Sequence, residues 1–81
     1  MVTGMQIRAA RHSLRWTVGD LASRAGLSVS TIKRIEVDDG VPSVSAKNLV
    51  ILQTALEAAG IEFIGAPGNA PGIRIHRPRA D

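Results

Sequence analysis

The sequence predicts a mainly α-helical domain of four helices followed by a C-terminal β-hairpin. Three observations carry that expectation. Apolar residues recur at helical spacing from Ile7 to Leu56, interrupted by Ser/Thr caps and by glycines at Gly26 and Gly60. The stretch from Trp16 to Glu36 describes two short helices meeting at a glycine turn. Beyond Gly60 the pattern changes to short β-type runs, Ile61 to Ile64 and Ile73 to His76.

Helix one starts near Gly4, because Thr3 and Gln6 form a Thr-x-x-Gln capping box that satisfies amides left free at a helix start. Ile7, Ala10 and Leu14 make its buried stripe, with Arg11 at the edge and Arg8, His12 and Arg15 projecting away. Helix two is capped by Thr17 with Asp20 three residues on, and packs through Leu21, Ala22 and Ala25. Gly26 follows where a left-handed residue ends a helix at little cost. Leu27 plugs the corner, Ser28 caps helix three, and Ile32 with Ile35 anchor it. At about 100° per residue, Val29, Ser30, Lys33, Arg34 and Val37 fall on the opposite, outward arc.

Val37 to Pro42 has loop chemistry, and the paired acids Asp38 and Asp39 suit local turn hydrogen bonds. Ser43 or Ser45 caps helix four, which runs to about Ala59. Leu49, Leu52, Leu56 and Ala59 line one side of it; Val50, Ile51, Ala55 and Ala58 make the rest apolar too, so it needs cover on more than one face. The two β runs, separated by GAPGNAPG, read as a hairpin with a long loop that packs on helix four. Glu62 and Arg74 are placed to pair across it, and Arg77 to Asp81 read as a frayed basic tail.

The chain has 81 residues, a net charge of +3 and no cysteine, which limits it to one modest core without disulfide or thiolate support. A reducing cytoplasm suits it. No leader pattern opens the chain, and Leu49 to Leu52, its longest apolar run, is far too short to span a bilayer, so no membrane role is expected. Charge is polarised: up to Arg34 the chain carries Arg8, Arg11, Arg15, Arg24, Lys33 and Arg34 against Asp20 alone, whereas acids dominate from Ile35 to Glu62. A basic half that contains the outward arc is what a polyanion surface needs. His12 and His76 lie far apart, and no nucleophilic, metal-ligand or phosphate-loop pattern appears; an enzyme, a metal site or a cofactor is not expected.

The residues from Trp16 to Glu36 resemble the Cro/phage-repressor class, or XRE-like family, of small bacterial and phage regulators. The matching elements are Trp16 and Thr17, the Leu21–Ala22 pair, the turn Ala25 to Ser28, and Thr31 to Glu36 as Thr-Ile-x-Arg-Ile-Glu. The likeness covers residues 3 to 60. Val18 stands where the family often has glutamine, and Val29 where Gln or Arg is common, which leaves fewer polar groups for discrimination. The resemblance implies a four-helix, lambda-repressor-like helix-turn-helix domain over 1–60, with 61–81 as a dimerising hairpin extension and tail. It also implies a partly buried ion pair between Arg11 and Glu36, tying helix one to helix three.

On this reading Ser30, Lys33 and Arg34, with Val29, face base edges of double-stranded DNA, and Arg11, Arg15, Thr17 and Lys47 position phosphates. Trp16 packs at the corner between helices one and two. A shortage of burial within one subunit points to a homodimer through Val50, Ile51, Ile61, Phe63, Ile73 and Ile75. The function expected is a sequence-specific transcriptional regulator, most simply a repressor on a near-palindromic operator. The rival class is a protein-interaction module, an antitoxin or antiactivator, that neutralises a regulatory protein partner with the same scaffold; the apolar C-terminal half suits it, and the basic face suits DNA.

Overall fold

The computed structural model describes residues 1–76, so the basic tail predicted at Arg77 to Asp81 lies outside the described residues. The elements run α1 (Gly4–Ser13), α2 (Val18–Ala25), α3 (Val29–Glu36), α4 (Ala46–Ala58), β1 (Ile61–Ala66) and β2 (Asn69–Ile75). Mainly helical with one antiparallel hairpin, this is the expected fold class.

Local chemistry sets the helix ends. Thr3 and Gln6 form the reciprocal capping box of α1, and Thr17 and Asp20 that of α2. Gly26 ends α2 at φ 68, a left-handed conformation for which glycine carries no Cβ penalty. Ser28 caps α3, and of the two serines before α4 it is Ser45 that caps. The end of α1 departs from the glycine rule. The amides of Arg15 and Trp16 bond back to the carbonyls of His12 and Arg11, a Schellman closure that holds Arg15 at φ 59.

Ile7 and Ala10 of α1, Leu21 of α2, Ile32 and Ile35 of α3, and Leu52 and Leu56 of α4 form a fully buried core, which Ile61 of β1 joins. α1 crosses α3 closely at Gly4. A Cβ there would collide with the carbonyl oxygens of Ile35 and Asp38, and the Gly4 amide donates to the Gly40 carbonyl at 2.8 Å.

The hairpin corrects one expectation. GAPGNAPG is not a long loop: β1 continues to Ala66, Pro67 and Gly68 make the turn, and β2 resumes at Asn69, with Ala66 opposite Asn69. The breakers have local uses. Pro67 suits a turn, Pro71 is tolerated because both strands of a two-stranded sheet are edges, and Gly65 (φ 76) takes up an irregularity between Ile64 and Ala66. Glu62 lies opposite Arg74, and the two pair at 3.2 Å. The hairpin also reaches beyond α4, since β1 packs on α4 while β2 packs on α1. The Gln6 amide, besides completing its cap, donates to the carbonyls of Ile64 (3.1 Å) and Gly72 (2.8 Å), fastening the hairpin to the start of α1.

Candidate nucleic-acid interface

α3 has two unlike faces. Ile32 and Ile35 are fully buried, and the Ser28 hydroxyl accepts from the Thr31 amide at 3.2 Å to fix where the helix begins. That anchoring turns Val29, Ser30, Lys33, Arg34 and Val37 to solvent, Val29 at 42% exposure. Among the described residues neither Lys33 nor Arg34 enters an ion pair or side-chain hydrogen bond, so both cations are free to meet a ligand.

The inward end is bound up differently. Arg11 Nε donates to Glu36 Oε2 at 2.7 Å and Arg11 Nη2 to Glu36 Oε1 at 2.8 Å, a bidentate pair whose side chains are 10% and 8% exposed. Arg11 Nη1 donates to the Trp16 carbonyl at 2.9 Å, and Nη2 also meets His12 Nε2 at 3.2 Å. The hydrogen bond to Glu36 raises the Arg11 pKa above its ordinary value; burial works against it, and the Glu36 charge adds to it. With its donors turned inward, Arg11 ties α1, the α1–α2 link and the end of α3 together, and little of it is left to face a phosphate.

The other residues assigned to phosphate positioning are all exposed. Arg15 follows α1, Thr17 caps α2, and Lys47 lies in the first turn of α4. Thr17 and Asp20 hold each other: the hydroxyl accepts from the Asp20 amide at 3.0 Å, and Asp20 Oδ2 accepts from the Thr17 amide at 2.9 Å. The bond from the Thr17 amide, then that from its hydroxyl, lowers the Asp20 pKa.

The residues assigned to a dimer contact separate in the structure. Ile61 is 3% exposed and belongs to the chain's own core; Phe63 and Ile73 are half-buried against that core, and Ile51 is half-buried on α4. Val50 (58%) and Ile75 (55%) stand free.

Sequence reasoning missed three contacts. Arg8, expected to project away, is half-buried: it donates to the Glu36 carbonyl and to Asp39 Oδ1, the latter at 2.8 Å, joining α1 to the loop after α3. Its signal was the acid at Asp39, read with Asp38 as a turn residue, although Asp38 alone makes the local turn bond, to the Gly40 amide. The grip of Gln6 on the hairpin had no signal beyond its cap. Arg24 stacks over Trp16, its guanidinium carbon 4.2 Å from the ring centroid, a contact between α2 and its own lead-in that helical spacing does not announce.

Two helices meeting at a left-handed glycine, the second anchored by isoleucines and presenting an exposed cationic arc, define a helix-turn-helix DNA-binding domain. The family model described as "Helix-turn-helix domain" matches residues 3–60, from the cap of α1 to the glycine after α4. The chain belongs to that family, whose members bind DNA as regulators. A comparison with curated proteins finds no match to this chain. Among the described residues no helix is long and apolar enough to cross a membrane.

Proposed function

We propose that this chain is a sequence-specific transcriptional regulator of the XRE-like kind, a repressor that binds a near-palindromic operator as a homodimer. The observation that carries the reading is the arc of α3, where Lys33 and Arg34 are exposed and, among the described residues, unpaired, on a helix whose opposite face is locked to α1. Lys33 and Arg34 reach guanine O6 and N7 or phosphate, Ser30 donates near the helix start, and Val29 offers apolar contact to a thymine methyl. Arg15, Thr17 and Lys47 set register on the backbone, and Arg11 serves by holding the frame.

One helix-turn-helix reads few base pairs, so selectivity calls for two copies on half-sites about 34 Å apart. The surface left for a second copy is the exposed Val50 and Ile75 with the outer parts of Ile51, Phe63 and Ile73. Capture of genomic DNA fragments by the pure chain, followed by sequencing, tests the reading: one enriched, dyad-symmetric site is expected, and recovery without sequence preference overturns it. Val50→Asp and Ile75→Asp leave the core intact and test the dimer by sedimentation. An undiminished dimer in the double variant overturns this interface.

A further inference from the structure

The C-terminal half of α4 leaves a hollow that neither the core nor the reading face uses. Ala55, Ala58 and Ala59 offer it only small side chains, and across from them stand Trp16, just before α2, and Arg24, in the last turn of α2. These five residues line an open-sided cleft of about 280 Å³, just below the ~300–1,000 Å³ range of small-molecule sites and so sized for a small ligand. Arg24 is the only charged side chain among them. Its guanidinium lies over the indole ring, and among the described residues no carboxylate is within ion-pair distance; Asp20, one turn earlier, acts on it only at longer range.

We propose that this cleft binds a small carboxylate with an apolar body, the body resting on the alanines against Trp16 and the carboxylate on Arg24. The wall chemistry selects that class. Apolar surface favours a body that gains by leaving water, and a planar guanidinium at the rim prefers a carboxylate in bidentate geometry. A compact, wholly polar anion leaves the alanine floor wet, and a neutral apolar solute leaves Arg24 without a partner. The cleft also touches the frame of the reading helix. The Trp16 carbonyl accepts from Arg11, which clamps Glu36 at the end of α3. Occupancy therefore acts on the strut that orients α3, and, resting on the proposed role of α3 in DNA reading, it shifts DNA affinity.

Trp16 is the chain's single tryptophan, and there is no tyrosine, so indole emission reports on the cleft directly. The full chain is titrated with benzoate and with hexanoate, against benzamide and chloride at equal ionic strength. A saturable change with at least one carboxylate is expected, with benzamide about tenfold weaker because it forfeits the charge-assisted bonds. Arg24→Gln, followed by calorimetry because Arg24 sits on the reporter, should weaken the carboxylate by about the same factor, and Arg24→Lys by less. Ala55→Leu, which fills the hollow, should abolish binding with helical circular dichroism retained. No saturation by either carboxylate in the millimolar range, equal binding of benzamide, or indifference to Arg24→Gln overturns the proposal. So does an Ala55→Leu variant that changes sedimentation mass but not the titration, because the cleft is then a contact between copies of the chain. The regulatory part is read by gel shift with and without saturating benzoate: a change of at least about threefold in operator affinity is expected, and unchanged affinity beside a positive titration overturns that part. A chain that binds no specific DNA sinks the proposed function, whereas the titration still decides the cleft.

Discussion

Glu36 and Arg34 lie two residues apart on α3, yet one is sealed in a bidentate pair with Arg11 while the other stands in solvent with no partner among the described residues. The same helix thus carries a charge that fixes geometry and a charge left available for a ligand. The difference follows from the turn of the helix: Glu36 sits beside Ile32 and Ile35 on the face that meets α1, and Lys33 and Arg34 sit on the face that meets nothing. Substitutions at the inward end should act through stability and orientation. Those on the arc should act through binding alone.

The largest effect is expected at Glu36. Glu36→Ala leaves the Arg11 guanidinium buried without its counter-charge, which costs about 3–5 kcal/mol for a broken buried pair and should appear as a lower urea midpoint. Operator binding should fall too, measured where the variant is still folded, although removing a negative charge near DNA favours binding if long-range charge alone matters. Tighter binding by the variant would mean that Glu36 does not serve DNA binding by holding Arg11 in place.

On the other face, Lys33→Ala and Arg34→Ala should each lose about 1–3 kcal/mol of specific binding where a base contact goes, with a flatter salt dependence where a phosphate contact goes. Stability should stay within about 0.5 kcal/mol of the parent, as for exposed residues without partners. If either variant unfolds as readily as Glu36→Ala, the two faces do not divide the work in this way.

Arg15 sharpens the contrast, because one residue there carries both kinds of effect with opposite signs. Its φ of 59 is costly for a side chain with a Cβ, so Arg15→Gly should stabilise the fold by about 1 kcal/mol at most, seen as a higher urea midpoint. The same substitution removes an exposed cation assigned to phosphate, and DNA binding should weaken with little change in sequence preference. Unchanged affinity in the more stable variant removes Arg15 from the phosphate set.

The smallest effect is expected in acid. Asp20 is held below its ordinary pKa by Thr17, and Glu62 chiefly by its hydrogen bond to His76, with the Arg74 charge adding to it. Both are depressed in the folded chain. Their stabilisation is therefore present above the ordinary carboxylate pKa and is lost as pH falls through the lower folded values. Asp20→Asn and Glu62→Gln should each make the fall of stability in acid shallower in denaturant titrations at stepped pH, with little change in its slope near neutrality. An acid limb that neither substitution alters places the acid-sensitive contacts elsewhere.

What the sequence determined by itself is local. Capping boxes at Thr3 and Thr17, the glycine at 26, the Ser28 cap and the i, i+3 isoleucines of α3 each depend on residues within about a turn of one another, so they can be read without a fold. They carried both the four-helix reading and the outward placement of Val29, Ser30, Lys33 and Arg34. The GAPGNAPG stretch misled for a related reason: proline and glycine weaken regular structure on average, but at the tip and edges of a two-stranded hairpin they fit, and only strand pairing decides that. Tertiary structure alone decided the contacts between distant segments: Gln6 on the hairpin carbonyls, Arg8 on Asp39, the closeness of α1 to α3 at Gly4, the burial of Ile61 in the core and the cleft beside Arg24. Such contacts depend on how helices cross. A side chain's periodicity shows which face it occupies, but the partner it meets is set by the packing of every other element.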